Sequence, residues 1–351
     1  MIMIRLGAML RKLVFSLSLS LVFLFTGCVS LARPELSAEE EADLYPVASY
    51  VPETFDWQEI LVDAGDGEKL CAVPGVWRFD FESEDPKFPL IYHAVKIELS
   101  SAKFASSAEG AGFAGSASSA EGAGAEKITS SSDGRDGAGS LDGAVSQDGA
   151  VSETSDRLIL FTSRWERTSD FAARENCLVA MNATPFDKTE LAGIHKVDGK
   201  IISRPVARYA ALGLRCTEDG AVMQGRVFES QEDGELAGWD AAFGGFFVVL
   251  RDGEVCTEFI RRHTSRSGAG VSADGRTLYL LVVEGERKQQ SFGLSYPQCG
   301  EIFRAMGCSD ALEFDGGGSS ELCINGQSVM SYRVRRMQGN SFGFGFRLPR
   351  R

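Results

Sequence analysis

Several residue types that would point to common chemistries are scarce in this sequence or wrongly spaced. Its 351 residues contain three histidines, His93, His195 and His263, far apart and with no metal-ligand spacing, so no local histidine metal motif exists. There are eight cysteines but no CxxC pair, which excludes zinc ribbons and thioredoxin-like redox motifs. Basic residues are outnumbered, 36 against 49 acids, for a net charge of −13. A non-specific nucleic-acid binder needs the opposite balance to displace counterions from phosphates. Ser319 and Ser320, which close the main glycine run, lack a GxSxG setting, and that run lacks the lysine of a P-loop. The longest apolar run, Leu13 to Gly27, is fifteen residues. At about 1.5 Å per residue it falls short of a hydrocarbon core of roughly 30 Å. What remains is ordinary for a globular protein: 44% apolar and 24% charged residues, enough to bury a core.

That apolar run follows Arg5, Arg11 and Lys12, and no acid precedes Glu35. A basic start, a short apolar stretch and small residues before a break mark an export signal, here residues 1–27. The ending Thr26-Gly27-Cys28 resembles a bacterial lipobox, in which the cysteine is lipidated and becomes the mature N-terminus. Cys28 is therefore expected to anchor the chain to a membrane of the bacterial cell envelope. An uncleaved anchor or an ordinary signal peptide is the alternative. An acidic chain is repelled by anionic headgroups, so lipid rather than a polybasic patch would hold it. Residues 28–55 are polar and acidic and read as a tether. The seven other cysteines are odd in number, so at least one thiol stays unpaired in a monomer. Their apolar neighbours favour buried small hydrophobes, although an oxidising compartment would permit one or two bridges.

Residues 56–351 read as a single catalytic-type domain interrupted at 101–156. Serine, glycine and alanine make up 35 of those 56 residues, and Ser106 to Gly112 recurs at 118–124. Such a composition cannot bury enough apolar surface to offset ordering entropy, so a disordered insertion is expected. A hexapeptide β-helix is the structured alternative, with too few copies and too little aliphatic content. The alternation over Ile91–Leu99 predicts a half-buried strand, and Leu158–Phe161 another. The simplest topology makes the insertion a long loop between two strands of one sheet. Hairpins are expected over 244–260 and 271–283, and a short helix from about Ser169 before a buried strand at Cys177–Met181. Ser295 and Gln298 form a capping box around Pro297, Cys299, Ile302, Phe303 and Met306 form an apolar stripe, and Gly307 closes that helix. Many strands and few helices without βαβ alternation give α+β, with mixed twisted sheets and a few packed helices.

The most informative run is Glu313-Phe314-Asp315-Gly316-Gly317-Gly318-Ser319-Ser320. Three glycines after a strand let the backbone approach a ligand and take positive φ, and successive amides can form an anion nest. Asp315 lies at the strand end, and Glu313 two residues earlier, so the two side chains are expected on the same strand face. Two carboxylates beside such a nest suit glycosidic or phosphate-ester chemistry. A tight glycine turn with Asp315 satisfying turn amides is the alternative.

The order of motifs adds to this. Met181-Asn182-Ala183-Thr184-Pro185-Phe186 ends a strand, Ser265-Arg266-Ser267-Gly268-Ala269-Gly270-Val271 precedes a hairpin, Val282-Val283-Glu284-Gly285 closes it, and Asp315–Ser320 follows the capped helix. Over roughly residues 90–350, insertion excluded, this succession resembles the phosphodiester glycosidase family. The resemblance implies an α+β fold and hydrolysis of a sugar-1-phosphodiester at its anomeric side. It implies catalytic roles for Asp315, Glu284 and Arg266, and substrate-binding roles for Asn182, Glu313, Gly316, Gly317, Gly318, Ser319 and Ser320. Ser267 stands where the family has threonine, Glu284 where it has the aspartate of an Asp-Gly pair, and Glu313 where it has asparagine.

The chemistry is consistent with those assignments. A phosphodiester already leaves easily and needs charge stabilisation more than protonation, which an arginine and loop amides supply. A carboxylate must then face the oxocarbenium-like centre or activate water. Apart from the resemblance, Arg266 reads as a solvated loop cation, Glu284 as a surface turn acid and His93 as a satisfied core residue. His195 and His263 sit near polar turns, and nothing selects them. The sequence requires no cofactor, and a divalent cation held by Asp315, Glu313 or Glu284 is chemically reasonable. The expected partners are a carbohydrate phosphodiester and, through lipid, a membrane. The departures at Glu284 and Glu313 favour an alternative, a non-catalytic glycan-binding lipoprotein that retains the pocket.

Overall fold

The computed structural model describes residues 45–63, 70–104, 158–217, 222–258 and 262–345. The export segment, Cys28 and most of the acidic tether lie outside them. The described fold belongs to the unit Pro46–Arg351, and it begins before the expected boundary at 56. Tyr50 is buried and its carbonyl accepts the Tyr92 hydroxyl at 3.1 Å.

The architecture is α+β and rich in strands. An eight-stranded antiparallel sheet runs, edge to edge, through Gln58–Asp63, Leu70–Glu82, Ile91–Glu98, Thr277–Val283, Arg266–Val271, Asp310–Glu313, Val248–Arg251 and Glu254–Val255. A six-stranded sheet runs through Gln327–Ser328, Leu322–Ile324, Cys177–Asn182, Gln338–Gly345, Leu158–Glu166 and Ala102–Phe104. A five-stranded sheet holds Lys200–Ser203, His195–Val197, Ala241–Gly244, Ala211–Cys216 and Met223–Phe228. One hydrophobic core joins all three, with Val95 and Leu280 from the first, Val179 and Phe342 from the second, and Leu212 and Phe243 from the third.

Two α-helices are present among the described residues. Helix α1, Thr168–Arg174, lays Phe171 and Ala172 on Cys177, Ala180 and Cys323 of the six-stranded sheet. Helix α2, Tyr296–Met306, starts at the expected capping box and stops at Gly307, whose φ of 100° is the left-handed C-cap conformation. It packs on the outer face of the eight-stranded sheet. A Cβ at Gly268 or Gly270 would meet the Phe303 ring at 3.1 or 2.9 Å, so glycine there makes room for that ring.

Three expectations need correction. Ile91–Glu98 and Leu158–Glu166 lie in different sheets, so the insertion does not join two strands of one sheet as drawn. It also starts later than 101, because Ala102–Phe104 pairs in parallel with Leu158–Leu160. Parallel neighbours need a long crossover, which residues 105–157 provide by length. Those residues, the bulk of the expected disordered segment, lie outside the described residues. The hairpin expected over 244–260 is shorter. Gly244 ends a strand of the five-stranded sheet, and the chain crosses at Gly245, where a Cβ would meet the Glu313 carbonyl at 2.5 Å. Among the described residues, Cys71, Cys177, Cys256, Cys299, Cys308 and Cys323 are free thiols, and all of these but Cys71 are buried.

Candidate active site

The strand Asp310–Glu313 delivers Phe314 into the core and then turns toward the six-stranded sheet. The Asp315 amide donates to the Ala183 carbonyl at 2.8 Å. From there the loop needs glycine for two distinct reasons. At Gly316 a Cβ would press on the Ser265 carbonyl at 2.9 Å. Gly317 has a φ of 59° and donates its amide to that same carbonyl at 2.9 Å. Gly317–Ser319 is then a single 3₁₀ turn. Gly318 differs from both. Its φ is not positive, and a Cβ there would meet nothing nearer than a Glu286 carboxylate oxygen at 3.8 Å.

The expected anion nest is largely spent within the chain. The amides of Gly317, Ser319 and Ser320 donate to Ser265, Gly316 and Gly317 carbonyls respectively. Gly318 is left with an amide that finds no hydrogen-bond acceptor among the described residues. The Ser320 hydroxyl is buried with no hydrogen-bond partner among the described residues.

Asn182, at the end of its strand, is fixed on three sides. Its Nδ2 donates to the Asp315 carbonyl at 2.7 Å, and its Oδ1 accepts from the Ser267 hydroxyl at 2.9 Å and the Glu321 amide at 3.0 Å. A carbonyl only accepts and a backbone amide only donates, so the side-chain amide has one orientation. Asn182 thus clamps the loop between two sheets. Asp315 itself is half-buried. Burial pushes its carboxyl above the usual range, opposed by the Ser319 hydroxyl, the Arg336 charge and the Gly316 amide. The Ser319 hydroxyl is near the carboxylate without meeting full hydrogen-bond geometry.

Glu284 is only 1% exposed. It is no surface turn acid. Its Oε1 accepts the Ser331 amide at 2.6 Å and faces His93 Nε2 at 3.3 Å, while Oε2 accepts the Ser331 hydroxyl. His93 Nδ1 faces Asp80 Oδ1 at 2.6 Å. Burial alone would raise the Glu284 pKa, but His93 and Ser331 together hold it below the ordinary carboxylate value. Burial alone would lower that of His93, but the two carboxylates raise it. His93 is therefore more than a satisfied core residue: it links a candidate site acid to Asp80. Ser331 carries Tyr332 to the glycine loop, the mouth of the site, where its hydroxyl lies 3.4 Å from Ser265 Oγ and its pKa is pushed up to about 12, first by burial.

Arg266 and Glu313 lie elsewhere. Ser267 faces Asn182 between the sheets, so its strand neighbours Arg266 and Gly268 face α2. The Arg266 guanidinium, 4.0 Å from the Tyr296 ring centroid, donates to the Leu294 and Arg262 carbonyls at 2.9 and 2.5 Å. It is a buried strand residue and not a solvated loop cation. Glu313 pairs opposite Gly268 on that same face. Neither of its carboxyl oxygens has a hydrogen-bond partner of ordinary geometry, and burial lifts its pKa to about 7 despite the Arg266 charge and the nearby Cys299 thiol.

The candidate residues therefore fall into two groups. Asn182, Asp315, Gly316–Gly318, Ser319 and Ser320 gather where the two sheets meet, Glu284 reaches them through Ser331, Tyr332 and Ser265, and Arg266 and Glu313 sit beneath α2. Glu284, Asp315 and Glu313 do not converge on a single cation, and no cluster of three metal-ligating side chains forms among the described residues. Glu286, Tyr332 and Arg336 stand beside this group, and Ser331, His93 and Asp80 extend it through Glu284; sequence reasoning had assigned none of these six a role in the site. Only the Arg333-Val-Arg-Arg336 run could have signalled any of them. His195 is buried beside Phe243, with its pKa lowered to about 4 chiefly by burial, and His263 bonds Gln298 at 2.7 Å; neither reaches the loop.

Residues 175–344 match the family model described as phosphodiester glycosidase. No curated protein sequence matches the chain. Among solved structures, a hypothetical protein from Synechocystis is similar at 12% identity and a TM-score of 0.49, with 77% of this chain covered. This chain spans 62% of that protein's length. The catalytic domain of zebrafish N-acetylglucosamine-1-phosphodiester α-N-acetylglucosaminidase, auto-inhibited by its pro-peptide, is similar at 17% identity and a TM-score of 0.49, covering 90% of this chain and 95% of that one.

Proposed function

We propose that this chain, with its phosphodiester glycosidase family match over residues 175–344, is an exported, lipid-anchored hydrolase that cleaves a sugar-1-phosphodiester in glycan metabolism. The family match supports a glycosidase-type activity. Export and anchoring through Cys28 rest on the basic, apolar and lipobox-like residues of the N-terminus.

The observation that carries the reading is Gly318. Its neighbours Gly316 and Gly317 are required by a close carbonyl and a positive φ. Gly318 answers to neither need, yet its open Cβ position and unpaired amide lie three residues from the Asp315 carboxyl. The space suits a ligand whose acceptor oxygen takes that amide.

Asp315 faces the anomeric carbon, where its carboxylate opposes the positive charge of the transition state. The bond from the anomeric carbon to the phosphate oxygen breaks, and the phosphate leaves with the electron pair as a monoester. Water supplies the new hydroxyl and loses its proton to a carboxylate or to solvent. The leaving phosphate draws on the Gly318 amide and on Arg336, an exposed cation whose field already reaches Asp315. Arg266, tied to two carbonyls and a ring, acts at most through its field. Glu284 holds Ser331, and through it Tyr332, against the mouth.

Purified protein incubated with a panel of sugar-1-phosphodiesters should release free reducing sugar and a phosphomonoester. Absence of release across the panel would move the weight to glycan binding without turnover.

A further inference from the structure

The segment 331–338 touches the candidate site at both ends. Ser331 binds Glu284, and the Gln338 side-chain amide donates to the Ser319 carbonyl at 3.2 Å. Val334 is buried, which turns Arg333 and Arg335 outward. These two arginines and Met337 line a cavity of about 540 Å³ whose opposite wall includes Trp165, Arg167 and Asp170.

The charges in this cavity do not cancel. Asp170 is bonded by Arg167, with both contacts at 2.7 Å, and the wall residue Glu166 is bonded by Arg174 at 2.6 Å. Arg333 and Arg335 make no hydrogen bond or ion pair with the described residues; Arg333 reaches Asp170 only through its field. Two uncommitted guanidiniums thus face one cavity on a chain of net charge −13. Trp165 adds an indole held at a φ of 56°, a conformation bulky residues rarely adopt, and Met337 adds an apolar side chain that is 56% exposed.

We propose that this cavity is an extended subsite for a phosphate-bearing oligosaccharide, the portion of the substrate beyond the cleaved bond. Guanidinium forks match phosphate oxygens bidentately, and an indole covers the apolar face of a sugar ring. The cavity's wall segment also touches the candidate site, and Arg336 bridges the two: its charge acts on Asp315, and it stacks on Phe186 at 4.8 Å, which itself meets Trp165 edge-on at 5.6 Å. The link to hydrolysis rests on the proposed function; the binding does not.

The test measures binding to the full chain, with Asp315→Asn as the common background so that cleavage is slowed. The probe is a short fluorescein-labelled glucan bearing phosphodiester groups, followed by anisotropy, beside its phosphate-free counterpart. The subsite requires tighter binding of the phosphate-bearing probe and a loss of about tenfold or more in Arg333→Ala/Arg335→Ala. Arg335→Glu, a single exposed change, should weaken binding likewise and covers the case in which the double variant folds poorly. With Asp315 restored, the double variant should still hydrolyse a monosaccharide phosphodiester at the wild-type rate. An inactive wild type that nonetheless binds the probe through these arginines would sink the hydrolase reading and support the subsite. Equal affinity for both probes, or arginine variants that bind as tightly as their background, would overturn it.

Discussion

The Asn182 side chain on the six-stranded sheet donates to the Asp315 carbonyl at the end of an eight-stranded-sheet strand, 2.7 Å away. The bond makes the position of Asp315 a property of both sheets. Asn182→Ala would leave the Ser267 hydroxyl, the Glu321 amide and the Asp315 carbonyl without their partner. At roughly 1 kcal/mol or more for each orphaned group, the loss should be about 3 kcal/mol, against ~1 for Ser267→Ala. Urea unfolding of the two variants checks the ratio.

The three loop glycines should separate under substitution by alanine. Gly316→Ala meets the Ser265 carbonyl and Gly317→Ala holds a positive φ, so both should lower stability, the second by about 1 kcal/mol. Gly318→Ala has room and should fold as stably as wild type or slightly better. Its KM for a sugar-1-phosphodiester should nevertheless rise about tenfold or more, because the added methyl fills ligand space. Melting curves and steady-state kinetics on the same preparations read both effects.

Glu313 makes stability depend on pH. Its carboxyl has a pKa of about 7 in the fold, above its ordinary value of 4.5. Between those values the folded state binds the extra proton, so this group's contribution is present in full below about 4.5 and is lost as pH rises to about 7. Glu313→Gln removes the ionisation. Its stability relative to wild type should therefore rise between pH 4.5 and 7 and level off above, by up to roughly 3 kcal/mol. Denaturant unfolding at pH 4.5 and 8 measures the difference; a difference independent of pH would show that Glu313 does not titrate there.

Arg336 lowers the Asp315 pKa, so its removal should raise it. If the ionised carboxylate is the active form, the acid limb of the kcat/KM profile in Arg336→Ala should move to higher pH, and the plateau should fall by roughly 10-fold or more for the lost phosphate contact. Arg266→Lys should act on stability instead, through the lost ring contact and carbonyl bonds.

Much of the architecture could be read in the sequence where a local rule carried it. The cap pair Ser295 and Gln298 and the stop at Gly307 delimit α2 without help from the rest of the chain. The strand Arg266–Val271 was harder, because Gly268 and Gly270 lack the side chains that make alternation visible; they are glycine to admit Phe303 from another element. The site divided along the same line. The Asp315–Ser320 loop is contiguous and announces itself. His93, Ser331 and Arg336 reach it from strands and loops far apart in the chain, and no spacing rule connects them. Glu313 and Asp315, two residues apart, seemed to share a face, but the loop turns after Phe314 and puts one beneath α2 and the other beside Asn182.

The central claim is that Asp315 is the carboxylate at which a sugar-1-phosphodiester is cleaved, and Asp315→Asn tests it most directly. The variant keeps the side chain's size while removing its charge, and the Asn182 bond goes to the backbone carbonyl and survives the change. Measured beside wild type on one substrate, its turnover should fall by roughly 10² or more with only a modest change in melting temperature. A folded Asp315→Asn protein that turns over at the wild-type rate would contradict the account.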